Sequence, residues 1–148
     1  MKDEIYEYLI NYGFSKENLD KFEELNENMY FVSLNKVKEN ISFFTNKGLN
    51  NNEIISLANI NPFILTLSSK RKNAFDEIYI NKLNLSNEEI KNLLNINNNI
   101  YTCSPLELDK IINYLVNDKN YSIDNIKKII LTNPNIINKK IDEIIEII

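Results

Sequence analysis

The side chains that most often perform catalysis are nearly absent from this 148-residue chain. It contains no histidine, one cysteine and two glycines. Without histidine there is no common general base or metal ligand, and one thiol cannot build a zinc site. Two glycines are too few for a phosphate-binding loop, and adjacent carboxylates such as Glu88 and Glu89 face different sides of a helix. The sequence therefore predicts no enzyme: no catalytic residue, no cofactor and no metal.

The two glycines instead mark a repeat. Gly13 and Gly48 are 35 residues apart, and two further steps of 36 residues reach Asn84 and Asn120. Glycine and asparagine best tolerate the positive φ that ends many helices. We therefore expect all four residues to adopt positive φ directly after a helix.

Helix-starting signals recur with the same period. Two places after each stop comes an N-cap residue: Ser15, Asn50, Ser86 and Ser122. With the glutamate three places further on, Asn50–Glu53 and Ser86–Glu89 are predicted to form capping boxes. A second column of caps, Ser33, Ser68 and Ser104, precedes the other helix of each repeat. Between the two helices lies a corner, at which Pro62 and Pro134 stand two repeats apart. Each unit is thus predicted as helix, tight turn, helix, corner.

These columns predict an all-α fold. It is a right- or left-handed α-solenoid of four helix-turn-helix repeats of 35–36 residues with a C-terminal capping helix. We expect a single helical-repeat domain over 1–148, with repeats at about 1–32, 33–67, 68–103 and 104–139 and the capping helix at 140–148. Cys103 lies in an apolar corner column and is predicted to be buried in the core. No apolar run is long enough for a membrane span, and no signal or transit peptide is seen, so a cytoplasmic protein is expected.

Charge is distributed unevenly along the chain, whose net charge is −4. Residues 1–35 carry eight acidic and three basic side chains, whereas residues 36–74 carry six basic and two acidic ones. Equivalent positions of a solenoid align along one surface, so the sequence predicts a basic stripe across the middle. The candidate nucleic-acid contacts are Lys36, Lys38, Lys47, Lys70, Arg71 and Lys72. The candidate acidic surface for a protein partner comprises Glu17, Asp20, Glu23, Glu24 and Glu27.

All four repeat units resemble those of a known family, and two of them keep its proline. The segments Gly48-Leu49-Asn50, Glu53-Ile54-Ile55 and Asn61-Pro62-Phe63-Ile64-Leu65 are similar to the repeat of the mitochondrial transcription termination factor family, as is the unit from Tyr121 to Ile137. This resemblance implies two helices and a short helical turn after a proline corner. It also implies nucleic-acid binding along a basic concave groove, with Lys36, Lys38, Lys70, Arg71 and Lys72 as phosphate contacts. The chain departs from the family pattern in being short, acidic and poor in arginine.

Two functions therefore stay open at the level of sequence. The first is a protein-binding module, an adaptor or inhibitor of a nucleic-acid-binding machine, that uses the acidic first repeat. The alternative is binding of DNA or RNA along the basic stripe. We expect no membrane partner.

The apolar C-terminal tail is predicted to dock as a cap on the fourth repeat. Otherwise it would form a homodimer through Ile141, Ile144, Ile145 and Ile148.

Overall fold

Helices account for nearly all regular structure. The computed structural model describes residues 1–147, with the backbone alone for residues 146 and 147. Within this range there are nine α-helices and no β-strand. The helices are α1 Asp3–Tyr12, α2 Lys16–Leu25, α3 Leu34–Asn46, α4 Asn51–Ile60, α5 Ser69–Asp76, α6 Asn87–Ile96, α7 Pro105–Asn117, α8 Ile123–Thr132 and α9 Ile141–Ile147. The predicted all-α helical-repeat fold is confirmed.

The chain divides into two compact units. Unit 1 is Met1–Ser68 and contains α1 to α4, and unit 2 begins at Ser69 and contains α5 to α9. The division falls within one residue of the predicted boundary between the second and third repeats. Each unit therefore holds two helix-turn-helix repeats, and unit 2 also holds α9.

N-caps form at six of the predicted positions. The side chains of Ser15, Ser33, Asn50, Ser86, Ser104 and Ser122 each accept a hydrogen bond from the backbone N–H three residues on. At Asn50 and Ser86 the glutamate three residues later bonds back to the cap backbone, completing two capping boxes. These contacts satisfy N–H groups that the first turn of a helix leaves without partners.

The four helix stops also have the predicted backbone conformation. The φ angle is 130° at Gly13, 96° at Gly48, 56° at Asn84 and 57° at Asn120. The two glycines lie at angles that side chains rarely adopt, whereas the two asparagines lie in the left-handed helical region that asparagine tolerates. Glycine and asparagine are therefore not interchangeable at these stops.

An inserted residue explains this difference. The distance from the N-cap serine to the stop is 15 residues in the second repeat and 16 in the third and fourth. In unit 1 the backbone N–H of the residue after each stop donates a hydrogen bond to the carbonyl oxygen five residues earlier, from Phe14 to Leu9 and from Leu49 to Phe44. In unit 2 the corresponding hydrogen bonds span six residues, from Leu85 to Tyr79 and from Tyr121 to Leu115. The wider turns of unit 2 thus occur together with φ angles that asparagine accepts.

The third repeat accommodates its extra residue within the helix. Directly after α5 the chain forms a π-helical segment, Glu77–Lys82. A π-helical turn takes one more residue per hydrogen bond than an α-helical turn. The aromatic rings of Phe75, Tyr79 and Tyr101 pack together at this level, with centroids 5.4–5.7 Å apart.

The sequence did not predict the role of the asparagines that end the second helices, two of which join successive corners. They close the second helix of each repeat at Asn26, Asn61, Asn97 and Asn133, of which the first three are buried. In unit 1, Asn26 Nδ2 donates to the Pro62 carbonyl oxygen (3.2 Å). In unit 2, Asn97 Nδ2 donates to the Pro134 carbonyl oxygen (3.0 Å). The same contact thus links the two repeats inside each unit.

The C-terminal helix caps unit 2. Helix α9 packs against α7, and Ile144 is buried there while Ile145 is half exposed. Ile144 is thereby unavailable to the predicted dimer seam, and Ile148 lies outside the described residues. A homodimer through this helix stays a prediction.

Candidate nucleic-acid interface

The six predicted basic contacts divide equally between the two units. In unit 1 all three belong to α3 or its C-terminus. Lys36 is half-buried, with its ammonium 3.0 Å from the Glu39 carboxylate. Lys38 is exposed, and its ammonium lies 5.2 Å from the centre of the Tyr8 ring. Lys47 is buried, with its ammonium 4.9 Å from the Phe43 ring centre.

The three basic residues of unit 2 lie in the first turn of α5. Lys70 is exposed, Arg71 is half-buried and Lys72 is buried. Arg71 Nη1 donates a hydrogen bond to the carbonyl oxygen of Cys103 (2.6 Å), so the one arginine of the chain helps to hold a corner. Of the three basic side chains, Lys70 is therefore the most accessible to solvent.

Burial separates these residues into two groups. A phosphate contact needs a side chain that reaches solvent. Lys38 and Lys70 are exposed, and Lys36 and Arg71 are partly exposed. Lys47 and Lys72 pack into their units instead. Their spacing could have shown this, because each lies three residues from a core aromatic, Phe44 or Phe75, on the same helix face.

The predicted acidic surface is present on α2. Glu17, Asp20 and Glu24 are exposed and follow the i, i+3, i+7 spacing of one helix face, opposite the buried Leu19 and Phe22. Glu27 is exposed in the corner that follows. Glu23 is half-buried and forms an ion pair with the amino group of Met1. This surface carries several negative charges next to one another.

Other ionisable groups form contacts within the fold that shift their pKa values. The Ser86 backbone N–H and the Lys127 ammonium lower the pKa of Glu89, whose carboxylate lies 3.1 Å from that ammonium. Burial raises the pKa of the Tyr101 phenol, which donates to Asp76 (2.8 Å). Burial also raises the pKa of the Cys103 thiol to about 11, so the thiol is protonated at neutral pH. Cys103 is half-buried, a smaller degree of burial than predicted.

A surface cleft of about 700 Å³ lies between the π segment and α7 in unit 2. The polar residues of its lining contact one another: the Lys82 ammonium lies 2.5 Å from the Asp109 carboxylate, and Asn81 Nδ2 donates to Glu77 Oε2 (2.6 Å). The rest of its lining is apolar, from Ala74, Ile78, Pro105 and Leu106. The cleft offers apolar contacts and no cluster of basic groups.

Two features are absent from the described residues. Across the described residues, no group of three or more His, Cys, Asp or Glu side chains is arranged to hold a metal ion. None of the helices in residues 1–147 combines the length and apolar character that crossing a bilayer requires.

Helix pairs that repeat every 35–36 residues, with capped starts, positive-φ stops and proline corners, define an all-α helical-repeat protein. The sequence model of the mTERF family matches residues 24–146, which is more than half of the chain. The chain therefore belongs to the mTERF family, which the sequence resemblance had indicated. No curated protein matches the chain.

Proposed function

We propose that this protein binds nucleic acid through lysines on the first helices of its second and third repeats. The observation that carries the proposal is the family match over residues 24–146, since the family resemblance implies nucleic-acid binding. The match favours nucleic acid over a protein as the main ligand, which reverses the order that the sequence suggested.

The proposed contacts are Lys38, supported by Lys36, in unit 1, and, separately, Lys70, supported by Arg71, in unit 2. Lys38 and Lys70 are exposed. Lys36 and Arg71 occupy the same repeat position, 35 residues apart, one in each unit. Because the chain has a single arginine, binding should depend on phosphate charge more than on base sequence. Lys47 and Lys72 are left out because they are buried.

The test is a fluorescence-anisotropy titration with labelled duplex DNA and with single-stranded RNA, repeated between about 50 and about 200 mM salt. Affinity should fall steeply as salt rises. Replacing Lys38 or Lys70 with glutamine should each lower the slope of log K against log salt by about 0.7–0.9. Lys16→Gln is the matched control, because Lys16 is an exposed lysine in the acidic first repeat.

Two results would reject this proposal. One is the absence of binding to either nucleic acid at micromolar protein in about 50 mM salt. The other is an equal loss of affinity in Lys16→Gln, Lys38→Gln and Lys70→Gln, because binding would then follow net charge and not these positions.

A second candidate function is the binding of a protein partner. The specific observation in its favour is the exposed acidic face of α2, formed by Glu17, Asp20 and Glu24, which would repel phosphate and attract a basic protein surface. The two functions are compatible, because their proposed residues lie on different helices.

A further inference from the structure

Unit 1 exposes an apolar surface at the corners of its two repeats. Five large apolar side chains are exposed there, and we call them the corner patch: Leu25, Tyr30, Phe31, Ile60 and Phe63. Phe31 is the most exposed of them, at 81%. Contiguous exposed apolar surface on a folded protein commonly marks an interaction site.

The hydrogen bond between the corners brings these residues together. Asn26 Nδ2 bonds to the carbonyl oxygen of Pro62, so Leu25 and Phe63 each lie one residue from this contact. The 3₁₀ turns at Glu27–Tyr30 and Pro62–Thr66 also pack against each other. The rings of Tyr30 and Phe31 lie 6.5 Å apart. The patch is thus shared by both repeats of unit 1.

Packing within the repeats does not explain the two aromatic rings. At the repeat position of Tyr30 the other repeats carry Leu65, Tyr101 and Ile137, all of them buried. At the position of Phe31 the other repeats carry polar residues, namely Thr66, Thr102 and Asn138. The first repeat therefore differs from the other three by turning a tyrosine outward and replacing a polar side chain with phenylalanine.

The charges beside the patch indicate what would cover it. Glu24 directly precedes Leu25 in the chain, Glu27 follows it by two residues, and both are exposed; the acidic face of α2 continues through Asp20 and Glu17. An occupant must therefore combine apolar side chains with positive charge. A helix with an apolar stripe and lysine or arginine along its edges meets both requirements.

We infer that the corner patch binds a basic amphipathic helix of a partner protein. The inference rests on the second candidate function and adds the site and the chemistry of the partner. Leu25, Phe31 and Phe63 supply the apolar contact, and Glu24 and Glu27 pair with the basic side chains. Nucleic acid does not fit this surface, since the same carboxylates repel phosphate.

The test uses two synthetic helical peptides as probes. Both carry the same leucine stripe, and the polar positions are all lysine in one and all glutamate in the other. Binding is measured by isothermal titration calorimetry with the full chain, with Phe31→Ser and with the double variant of Glu24→Gln and Glu27→Gln. Ile96→Ser is the matched control, because Ile96 occupies the repeat position of Leu25 and is 65% exposed in unit 2.

The leucine–lysine peptide should bind, and the leucine–glutamate peptide should not. Phe31→Ser should weaken binding about tenfold or more, because an aromatic anchor at an interface contributes most of its affinity. The double glutamine variant should weaken binding and remove most of its salt dependence. Ile96→Ser should bind as the unchanged chain does. Thermal melts should show that Phe31→Ser folds normally, since the ring is mostly in solvent.

Three outcomes would overturn the inference. They are equal affinity for the two peptides, equal affinity of Phe31→Ser and the unchanged chain, and self-association that Phe31→Ser abolishes. The last outcome would assign the patch to a second copy of this chain. The nucleic-acid titration is repeated with Phe31→Ser and should be unchanged, so failure here is distinguishable from failure of the proposed nucleic-acid function.

Discussion

Replacement of Asn26 by alanine tests how the repeats of unit 1 are joined. Asn26 is completely buried. Its Nδ2 donates to the Pro62 carbonyl oxygen (3.2 Å) and to Thr66 Oγ1 (2.9 Å), and its Oδ1 accepts from the Asn28 amide (3.2 Å). One side chain therefore connects two corners that lie 36 residues apart in the chain.

The expected cost follows from what loses its partner. Thr66 is partly exposed and Asn28 is exposed, so the Thr66 hydroxyl and the Asn28 amide can form hydrogen bonds with water instead. The Pro62 carbonyl lies in a buried contact, and a buried acceptor left without a donor costs about 1–3 kcal/mol. The cavity left by the amide adds about 1 kcal/mol. We therefore expect a loss of about 2–4 kcal/mol, a large part of the 5–15 kcal/mol typical of a whole domain.

The measurement is urea unfolding followed by circular dichroism at the helical band. Asn52→Ala is the control, because Asn52 is exposed in α4 and its replacement should change stability by less than about 0.5 kcal/mol. Asn26→Asp is a second variant of nearly the same shape. It keeps the acceptor, loses the donor and places a buried carboxylate beside the Pro62 carbonyl, so it should cost at least as much as alanine at neutral pH.

Equal stability of Asn26→Ala and Asn52→Ala would refute this reasoning. It would mean that apolar packing alone joins the two repeats and that the hydrogen bond between the corners contributes nothing measurable. A loss in Asn26→Ala with no loss in Asn26→Asp would also refute it, because the donor would then not be the group that matters.

Three further predictions concern other positions. Gly48→Ala should lower the free energy of unfolding in urea by about 1–2 kcal/mol. The backbone alone causes this loss, because φ is 96° and a Cβ would meet no atom within 4 Å. Asn84→Gly, at φ 56°, should lower the free energy of unfolding by less than about 1 kcal/mol. Folding lowers the pKa of Glu89, so the ionised carboxylate stabilises the fold at pH values above its ordinary pKa of 4.5. This stabilisation is lost as pH falls through the pKa of the folded state. In thermal melts over a pH series, Glu89→Gln should therefore lack the part of the acid destabilisation that comes from Glu89. Cys103, with a pKa of about 11, should react with a thiol reagent at pH 8 more slowly in the folded protein than in urea, and equal rates would contradict its burial.

Most of the repeat could be predicted because its signals are local. A cap such as Ser104, a capping box such as Asn50 with Glu53, and a stop such as Gly13 each act within about five residues. Their agreement over four units predicts the number of helices and their approximate limits. The π segment at Glu77–Lys82 was not predicted, although the extra residue of the third repeat was countable.

The candidate site was predicted less completely, because exposure depends on the partners of a side chain. Positive charge alone placed Lys47 and Lys72 with Lys38 and Lys70, and only packing showed that the first two are buried. The corner patch was missed for the same reason. A phenylalanine such as Phe31 is ordinarily predicted to lie in the core.

The sequence by itself determined the class of fold, its period, its caps and its stops, since short-range hydrogen bonds and backbone conformation depend on neighbouring residues. Only the tertiary structure decided which side chains face solvent and which reach another repeat. The contact of Asn26 with Pro62 and the exposure of Phe31 arise between segments about one repeat apart, and no local pattern specifies them.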